Sequence, residues 1–213
     1  GDLRNHLSDQ VLAPQSWIAA EPLSSGMDLW DAIENLEERV SHKKIFCLPA
    51  FSYRLHQGRP GAASSMVDQL ASEIGRPRLF LISTGDNPGA EEESWPESLH
   101  SASAADPCQA WNALVVGSFT EKTTLPALNP RQYRVLAHAG EPAPFTSTSL
   151  NWDRQSPIRP DLVLEGGNLV EDPSGERACL EEMGALSTAP QNQLASVART
   201  TSNLGLAARM AST

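Results

Sequence analysis

The hydrophobic residues of this chain recur at two spacings, one typical of amphipathic helices and the other of buried strands. Residues 27–40 and 62–74 carry apolar side chains at about every third or fourth position, with polar ones between them, which predicts two helices. Short, mostly apolar runs predict strands without a solvent-facing side, as in a parallel sheet covered on both faces. These runs are residues 44–48, 79–82, 112–117 and 160–164.

The order of these elements predicts an α/β fold. A strand, a helix and a second strand follow one another between residues 44 and 82, which is the pattern of a parallel crossover unit. We expect the apolar face of the first helix to pack on a sheet, and the second helix to end at Gly75. The side chains expected to face inward from the second helix are Met66, Val67, Leu70 and Ile74.

Two longer connections lack a clear period. Residues 87–107 are acidic and contain several prolines, which predicts a surface loop. Residues 91–93 are three consecutive glutamates, and such a run is more often a solvated surface than a cation site. Residues 125–152 are rich in Pro, Ser and Thr.

Composition narrows the class of protein. The chain has 213 residues, 40% of them hydrophobic, which is enough for one sizeable α/β core. The formal net charge of −10 argues against nucleic acid or an anionic membrane surface as a partner, because both bind basic surfaces. No apolar run approaches the roughly 20 residues that a membrane span needs. We therefore expect no nucleic-acid partner and no membrane association.

The residues that could form disulfides or bind metals are widely scattered. Cys47, Cys108 and Cys179 are odd in number and fit neither a disulfide framework nor a zinc site with paired ligands, so we expect buried, reduced thiols. The five histidines lack metal-ligand spacing, and no stretch has the spacing of a calcium loop. We expect no metal and no cofactor. Three unpaired cysteines, and residues 1–6 that lack the apolar centre of a signal peptide, suggest a cytoplasmic protein. The absence of an initiator Met suggests that residue 1 is an internal cut or a processed end.

A serine near the C-terminus is the first candidate for chemistry. The sequence around Ser202 predicts a turn of small residues followed by an alanine-rich helix. Unpaired backbone N–H groups at a helix start favour an alkoxide and the oxyanion that follows it, so this is a suitable place for a nucleophile. The alternative is that Ser202, Thr200 or Thr201 only caps the helix, since Ser and Thr are common N-caps.

Five segments place Ser202 in a wider pattern. The first two, residues 45–52 and 81–86, each contain a predicted apolar strand and the residues that directly follow it. The others are Asn-Ala-Leu-Val-Val-Gly at 112–117, Phe-Thr-Ser-Thr-Ser at 145–149 and Arg-Pro-Asp-Leu-Val-Leu-Glu-Gly-Gly at 159–167, and Thr201-Ser202 follows. In this order and spacing they resemble the C-terminal portion of a subtilisin-like serine protease, of the subtilase family. The resemblance covers roughly residues 40–213, and is closest to bacterial members with long insertions.

The resemblance implies a three-layer α/β/α fold with a mainly parallel central sheet, and a serine endopeptidase that cleaves polypeptides through an acyl-enzyme. Ser202 corresponds to the nucleophile, and Asp86 stands where the family has its oxyanion-hole asparagine. The wall of the substrate cleft corresponds to Ala50, Phe51 and Ser52.

The chain also departs from the family pattern. Subtilases carry their triad in the order Asp, His, Ser, yet none of the five histidines is followed by Gly-Thr as in the family motif. We therefore expect residues 1–213 to be the C-terminal part of one catalytic domain, with the Asp and His segment upstream. Thr200 replaces a glycine, Leu206 replaces a proline, and Asp86 replaces the asparagine.

These departures leave a second function open. A catalytically inactive relative that binds peptides or serves in assembly also fits Asp86, Thr200 and the missing His-Gly-Thr motif. Without the family match, Asp86 is an ordinary turn residue. A serine hydrolase of the Gly-x-Ser-x-Gly type is disfavoured, because that sequence does not occur.

Overall fold

The structure is a computed structural model that describes residues 29–39, 45–48, 58–85, 95–125, 132–187 and 196–198. The helices within these residues are α1 (Leu29–Arg39), α2 (Ala62–Ala71) and α3 (Ser98–Ser101). The strands are β1 (Ile45–Leu48), β2 (Leu79–Ser83), β3 (Ala113–Phe119), β4 (Arg134–Val135), β5 (Leu162–Glu165), β6 (Val170–Glu171), β7 (Arg177–Ala178), β8 (Ala185–Ser187) and β9 (Ser196–Ala198).

The central feature of this part of the chain is a parallel sheet with the strand order β1-β2-β3-β5. Phe80, Leu81 and Ile82 of β2 are all fully buried, so both faces of this strand are covered. The Phe80 ring stacks on Phe46 of β1, with 5.3 Å between the ring centroids. The parallel sheet and the α/β class are confirmed, and the three-layer arrangement stays a prediction.

Helix α2 connects two neighbouring parallel strands, which confirms the crossover unit. Its Val67 and Leu70 side chains are fully buried as expected, and the helix packs on β2 and β3. The prediction for Ile74 is wrong, because this side chain is fully exposed. The helix ends at Ala71, before the hydrophobic period does, and the Arg78 guanidinium donates to the Leu70 carbonyl at 2.9 Å. Ile74 lies beyond this end, so its side chain is not on the buried face of the helix.

The predicted surface loop at 87–107 is wrong in its second half. Residues 102–107 are buried, and α3 precedes them. Two backbone hydrogen bonds tie this segment to Thr148, from the Ala104 N–H at 2.8 Å and to the Ala102 carbonyl at 3.0 Å. Polar residues and prolines in the sequence suggested exposure, but long-range partners satisfy the backbone here. Residues 91–93 lie outside the described residues.

The cysteines do not share one environment. Cys108 is buried as expected, but Cys47 and Cys179 are exposed, so the prediction is wrong for those two. Cys47 alternates along β1 with the buried Phe46 and Leu48 and so points to the opposite face of the strand. An apolar run in the sequence does not distinguish the two faces of a strand.

The described residues divide between two compact units. One contains α1, which confirms the predicted helix and buries its Ile33 side chain, together with most of the β8-β9 pair. The other contains the residues described from 45 to 185, including the parallel sheet and a small antiparallel sheet, β4-β6-β7. Among the described helices, none is long and apolar enough to cross a membrane.

Candidate functional site

The predicted site residues lie outside the described residues: Ser202, Asp86, Ala50, Phe51 and Ser52. The structure does describe the strands from which two of these segments continue. Leu48, the last residue of β1, pairs in parallel with Ile82 of β2, so both strands end at the same edge of the sheet. Asp86 follows the described Gly85 directly in the sequence, and Ala50 follows shortly after Leu48.

The exit of β2 is held by buried polar contacts. The Thr84 N–H donates to the Val116 carbonyl at 3.2 Å, and the Thr84 hydroxyl lies 3.3 Å from the Thr146 hydroxyl. Thr84 and Thr146 are both almost fully buried. Gly85 then has a φ of +84°, a backbone conformation that is strained for any residue with a side chain. The residue before Asp86 thus has a fixed position and a conformation that favours glycine.

Segment 145–149, one of the five that carry the resemblance, fits tightly between its neighbours. The Thr146 hydroxyl also accepts a hydrogen bond from the Ser118 N–H at 3.1 Å, while Phe145 is fully buried. A methyl group on Gly117 would lie 2.7 Å from Cγ of Pro160, so this β3 position requires glycine. The family-like residues are therefore packing and hydrogen-bonding residues in the described part of the site.

An arginine and an aspartate join β3 to β5. The buried Arg159 side chain donates to the carbonyls of Cys108 and Ala110 and pairs with Asp161. The Asp161 carboxylate also accepts from the Val115 N–H at 2.7 Å, and the Asp161 N–H donates to the Val115 carbonyl at 2.9 Å. The Arg-Pro-Asp motif that supported the resemblance thus works here as a clamp between two strands.

Cys108 is next to this clamp and is not suited to nucleophilic chemistry. Its thiol donates to the Ser83 carbonyl at 3.1 Å. Burial raises its pKa to about 12, against a smaller opposing effect of the Arg159 charge. The thiolate is the reactive form, so this cysteine is inert at neutral pH while the protein is folded.

The buried carboxylate of Asp106 caps α2, and no pattern in the sequence predicted this contact. Asp106 accepts hydrogen bonds from the backbone N–H of Ser64 at 2.9 Å and of Ala63 at 3.2 Å, and from the Ser64 hydroxyl. A side chain on Gly61 would collide with the Asp106 carboxylate. Because the capping residue is more than 40 residues from the helix in the sequence, the residues next to the helix start contain no N-cap signal. Its negative charge also complements the helix N-terminus.

The described residues contain no group of three or more His, Cys, Asp or Glu side chains that could hold a metal ion. The exit of β2, held by the contacts of Thr84, lies at the carboxyl end of the parallel strands. In open parallel sheets, this end is where ligands usually bind. In the sequence, Asp86 and Ala50 follow strands β2 and β1 of this sheet, whereas Ser202 follows β9.

Comparison with known proteins assigns the chain to a family. The model of the subtilase family matches residues 9–210, and the chain belongs to this family. The resemblance inferred from five sequence segments is therefore confirmed at the family level, and subtilases are serine peptidases as a class. Searches of curated proteins and of solved structures gave no match.

Proposed function

We propose that the protein is a serine endopeptidase of the subtilase type, with Ser202 as its nucleophile. The observation that carries the proposal is the family match over residues 9–210, a range that includes Ser202 and all five family-like segments. The contacts between β3 and β5 support the proposal. They show that two of the family-like segments, 112–117 and 159–167, pack against each other through Val115 with Asp161 and through Gly117 with Pro160.

The proposed reaction proceeds in two displacements. The Ser202 oxygen bonds to the scissile carbonyl carbon as a histidine accepts the hydroxyl proton, and the carbonyl oxygen becomes an oxyanion. Collapse of this tetrahedral species breaks the C–N bond, and the histidine gives its proton to the leaving amine. Water then hydrolyses the acyl-enzyme by the same steps. None of the five histidines has the family motif, so we assign the base and its aspartate to sequence outside residues 1–213.

Asp86 is proposed to serve at the oxyanion position. An ionised carboxylate repels the developing negative charge, whereas a protonated one donates a hydrogen bond to it. Desolvation in a closed cleft favours the protonated form. Backbone N–H groups at the start of the helix after Ser202 would supply the remaining donors.

The polypeptide substrate is proposed to bind as an added strand next to Ala50, Phe51 and Ser52. Strand addition satisfies the backbone groups of an extended peptide without regard to its sequence, which suits an endopeptidase. β1, from which this segment continues, is an end strand in the order β1-β2-β3-β5 of the described sheet.

A fluorophosphonate probe tests the proposal directly, since it labels only an activated serine. We expect labelling of the full-length protein, loss of labelling in Ser202→Ala, and retention in Ser196→Ala, a matched serine substitution on nearby β9. A well-folded full-length protein that takes no label would contradict the assignment.

The second candidate is a catalytically inactive subtilase that binds peptides or serves in assembly. Three departures from the family pattern favour it: Asp86, Thr200 and the absence of His-Gly-Thr. The same experiment separates the two, because an inactive relative would bind peptides and show no labelling that depends on Ser202.

A further inference from the structure

An open cavity of about 540 Å³ lies within the larger unit, and none of the family-like segments explains it. It is formed by three stretches of chain far apart in the sequence: residues 58–60, Trp111 and residues 153–157. This volume lies in the range of roughly 300–1,000 Å³ that is typical of sites for small ligands.

Two arginines and a tryptophan give the cavity its chemical character. Arg59 and Arg154 both line it and are exposed. Within the described residues neither guanidinium has a carboxylate partner, although Asp153 belongs to the same lining. Trp111 is 62% exposed. One exposed aromatic residue is ordinary on a protein surface, but here it coincides with a cavity and two available cations.

The walls of the cavity are fixed. The Trp111 N–H donates to the Asp68 carboxylate of α2 at 3.1 Å, which holds the backbone while the indole stays in solvent. The Ser156 hydroxyl donates to the Gly58 carbonyl at 2.9 Å, and the Ser156 N–H donates to the Asp153 carbonyl at 2.9 Å. Gly58 has a φ of +85° and packs so closely that an added Cβ would lie 2.5 Å from the Ser156 oxygen. The backbone of the cavity is therefore preorganised, which lowers the entropic penalty of binding, while the two guanidinium groups stay exposed.

We propose that this cavity binds acidic segments of polypeptides. Arginine binds carboxylates through paired N–H donors, and a tryptophan beside arginines is typical of the residues that dominate protein binding sites. The prolines Pro60 and Pro157 add apolar walls for the aliphatic parts of a peptide. A net charge of −10 repels an extended polyanion such as nucleic acid, whereas one or two carboxylates can reach a local cationic site. The proposal does not require that Ser202 be catalytically competent.

The test is isothermal titration calorimetry with a short acetylated and amidated peptide of alternating glutamate and proline. Its counterpart with glutamine in place of glutamate is the neutral comparison. Both are titrated into the full-length protein carrying Ser202→Ala, so that proteolysis cannot interfere and failure of the proposed catalytic function leaves the binding result intact. We expect the glutamate peptide to bind more tightly, with an affinity that falls as salt is added.

Variants locate the binding. Arg59→Gln and Arg154→Gln should each weaken the glutamate peptide by up to about fivefold, the effect of an exposed ion pair. Trp111→Ala should weaken both peptides, and Trp111→Phe should restore part of the loss. Arg76→Gln is the matched control, an exposed arginine outside the cavity, and should leave binding unchanged.

Equal affinity of the two peptides, an equal loss in Arg76→Gln, or tighter binding of oligothymidylate would overturn the proposal. Unchanged thermal unfolding of each variant excludes misfolding as the cause.

Discussion

At the scale of single residues, the oxyanion role proposed for Asp86 predicts how activity depends on pH. If its protonated carboxyl donates to the oxyanion, activity is present while the carboxyl holds its proton and falls as rising pH removes that proton. Asp86→Asn keeps the donor at every pH, so we expect the variant to lose this alkaline decline. The measurement is kcat/KM of the full-length protein against pH. An unchanged rate and pH profile in Asp86→Asn would show that residue 86 is not the oxyanion donor.

Cys108 and the two exposed cysteines should differ in reactivity. The Cys108 thiol is fully buried and its pKa is raised to about 12, so almost no thiolate forms at neutral pH. We expect iodoacetamide to modify Cys179 readily, to modify Cys47 more slowly because partial burial raises its pKa, and to spare Cys108, as measured by mass spectrometry of the digested protein. All three should react in denaturant, which serves as the control. Rapid modification of Cys108 without unfolding would contradict its burial.

At the scale of elements, the clamp between β3 and β5 should carry a large share of local stability. Arg159→Met leaves two backbone carbonyls without the donor that the buried guanidinium supplies, and an unsatisfied buried acceptor costs about 1–3 kcal/mol, whereas the partly exposed Asp161 adds little. Arg159→Lys keeps the charge but not the fork of donors, so it should recover only part of the loss. Chemical denaturation measures both. The exposed Arg76→Met should stay within about 0.5 kcal/mol of the wild type, and a similar value for Arg159→Met would refute the clamp.

The small sheet β4-β6-β7 should lose stability in acid. Glu171 is the register partner of both Arg134 and Arg177. Partial burial alone would raise its pKa, but hydrogen bonds from these arginines prevail and hold the pKa below its ordinary value of 4.5. A lowered folded-state pKa stabilises the protein above about pH 4.5, and this contribution disappears as pH falls through the lower, folded-state value.

We therefore expect Glu171→Gln to lower the free energy of unfolding by about 1 kcal/mol near neutral pH. The difference from wild type should shrink as the pH falls below about 4.5. Denaturant titrations at several pH values measure it, with the exposed Glu121→Gln as the control. A difference that grows in acid would reverse the expected sign.

The elements also show which sequence signals were sufficient. β2 and β3 could be predicted because strands buried on both faces are continuously apolar, and α2 because its buried face has a helical period. The end of α2 could not be predicted from the hydrophobic period, which continues to Ile74. It depends instead on the contact of Arg78 with the Leu70 carbonyl and on the turn at Gly75. The short strands of the β4-β6-β7 sheet are too brief for any period. Residues 102–107 look like a loop because their partners lie far away in the sequence.

At the scale of the whole molecule, order along the chain was more informative than any local motif. Weak segments in the right order led to the subtilase family, although each alone is a common sequence. The cavity beside Trp111 had no such signal, because its three stretches come together only in the folded chain. Sequence reasoning therefore reached the family and the proposed nucleophile, Ser202, whereas binding features assembled from distant residues required the fold.

The same reasoning predicts how the molecule behaves without its proposed base. If histidine and aspartate come from outside residues 1–213, these residues alone retain Ser202 but have no group placed to accept its proton, and general base catalysis contributes about 10²–10⁴-fold. We expect residues 1–213 alone to release no fluorescence from a labelled unstructured protein above the level of their Ser202→Ala variant, while the full-length protein does. The comparison with Ser202→Ala removes any contaminating protease from the result. Hydrolysis by residues 1–213 that disappears in Ser202→Ala would mean that one of His6, His42, His56, His100 or His138 serves as the base.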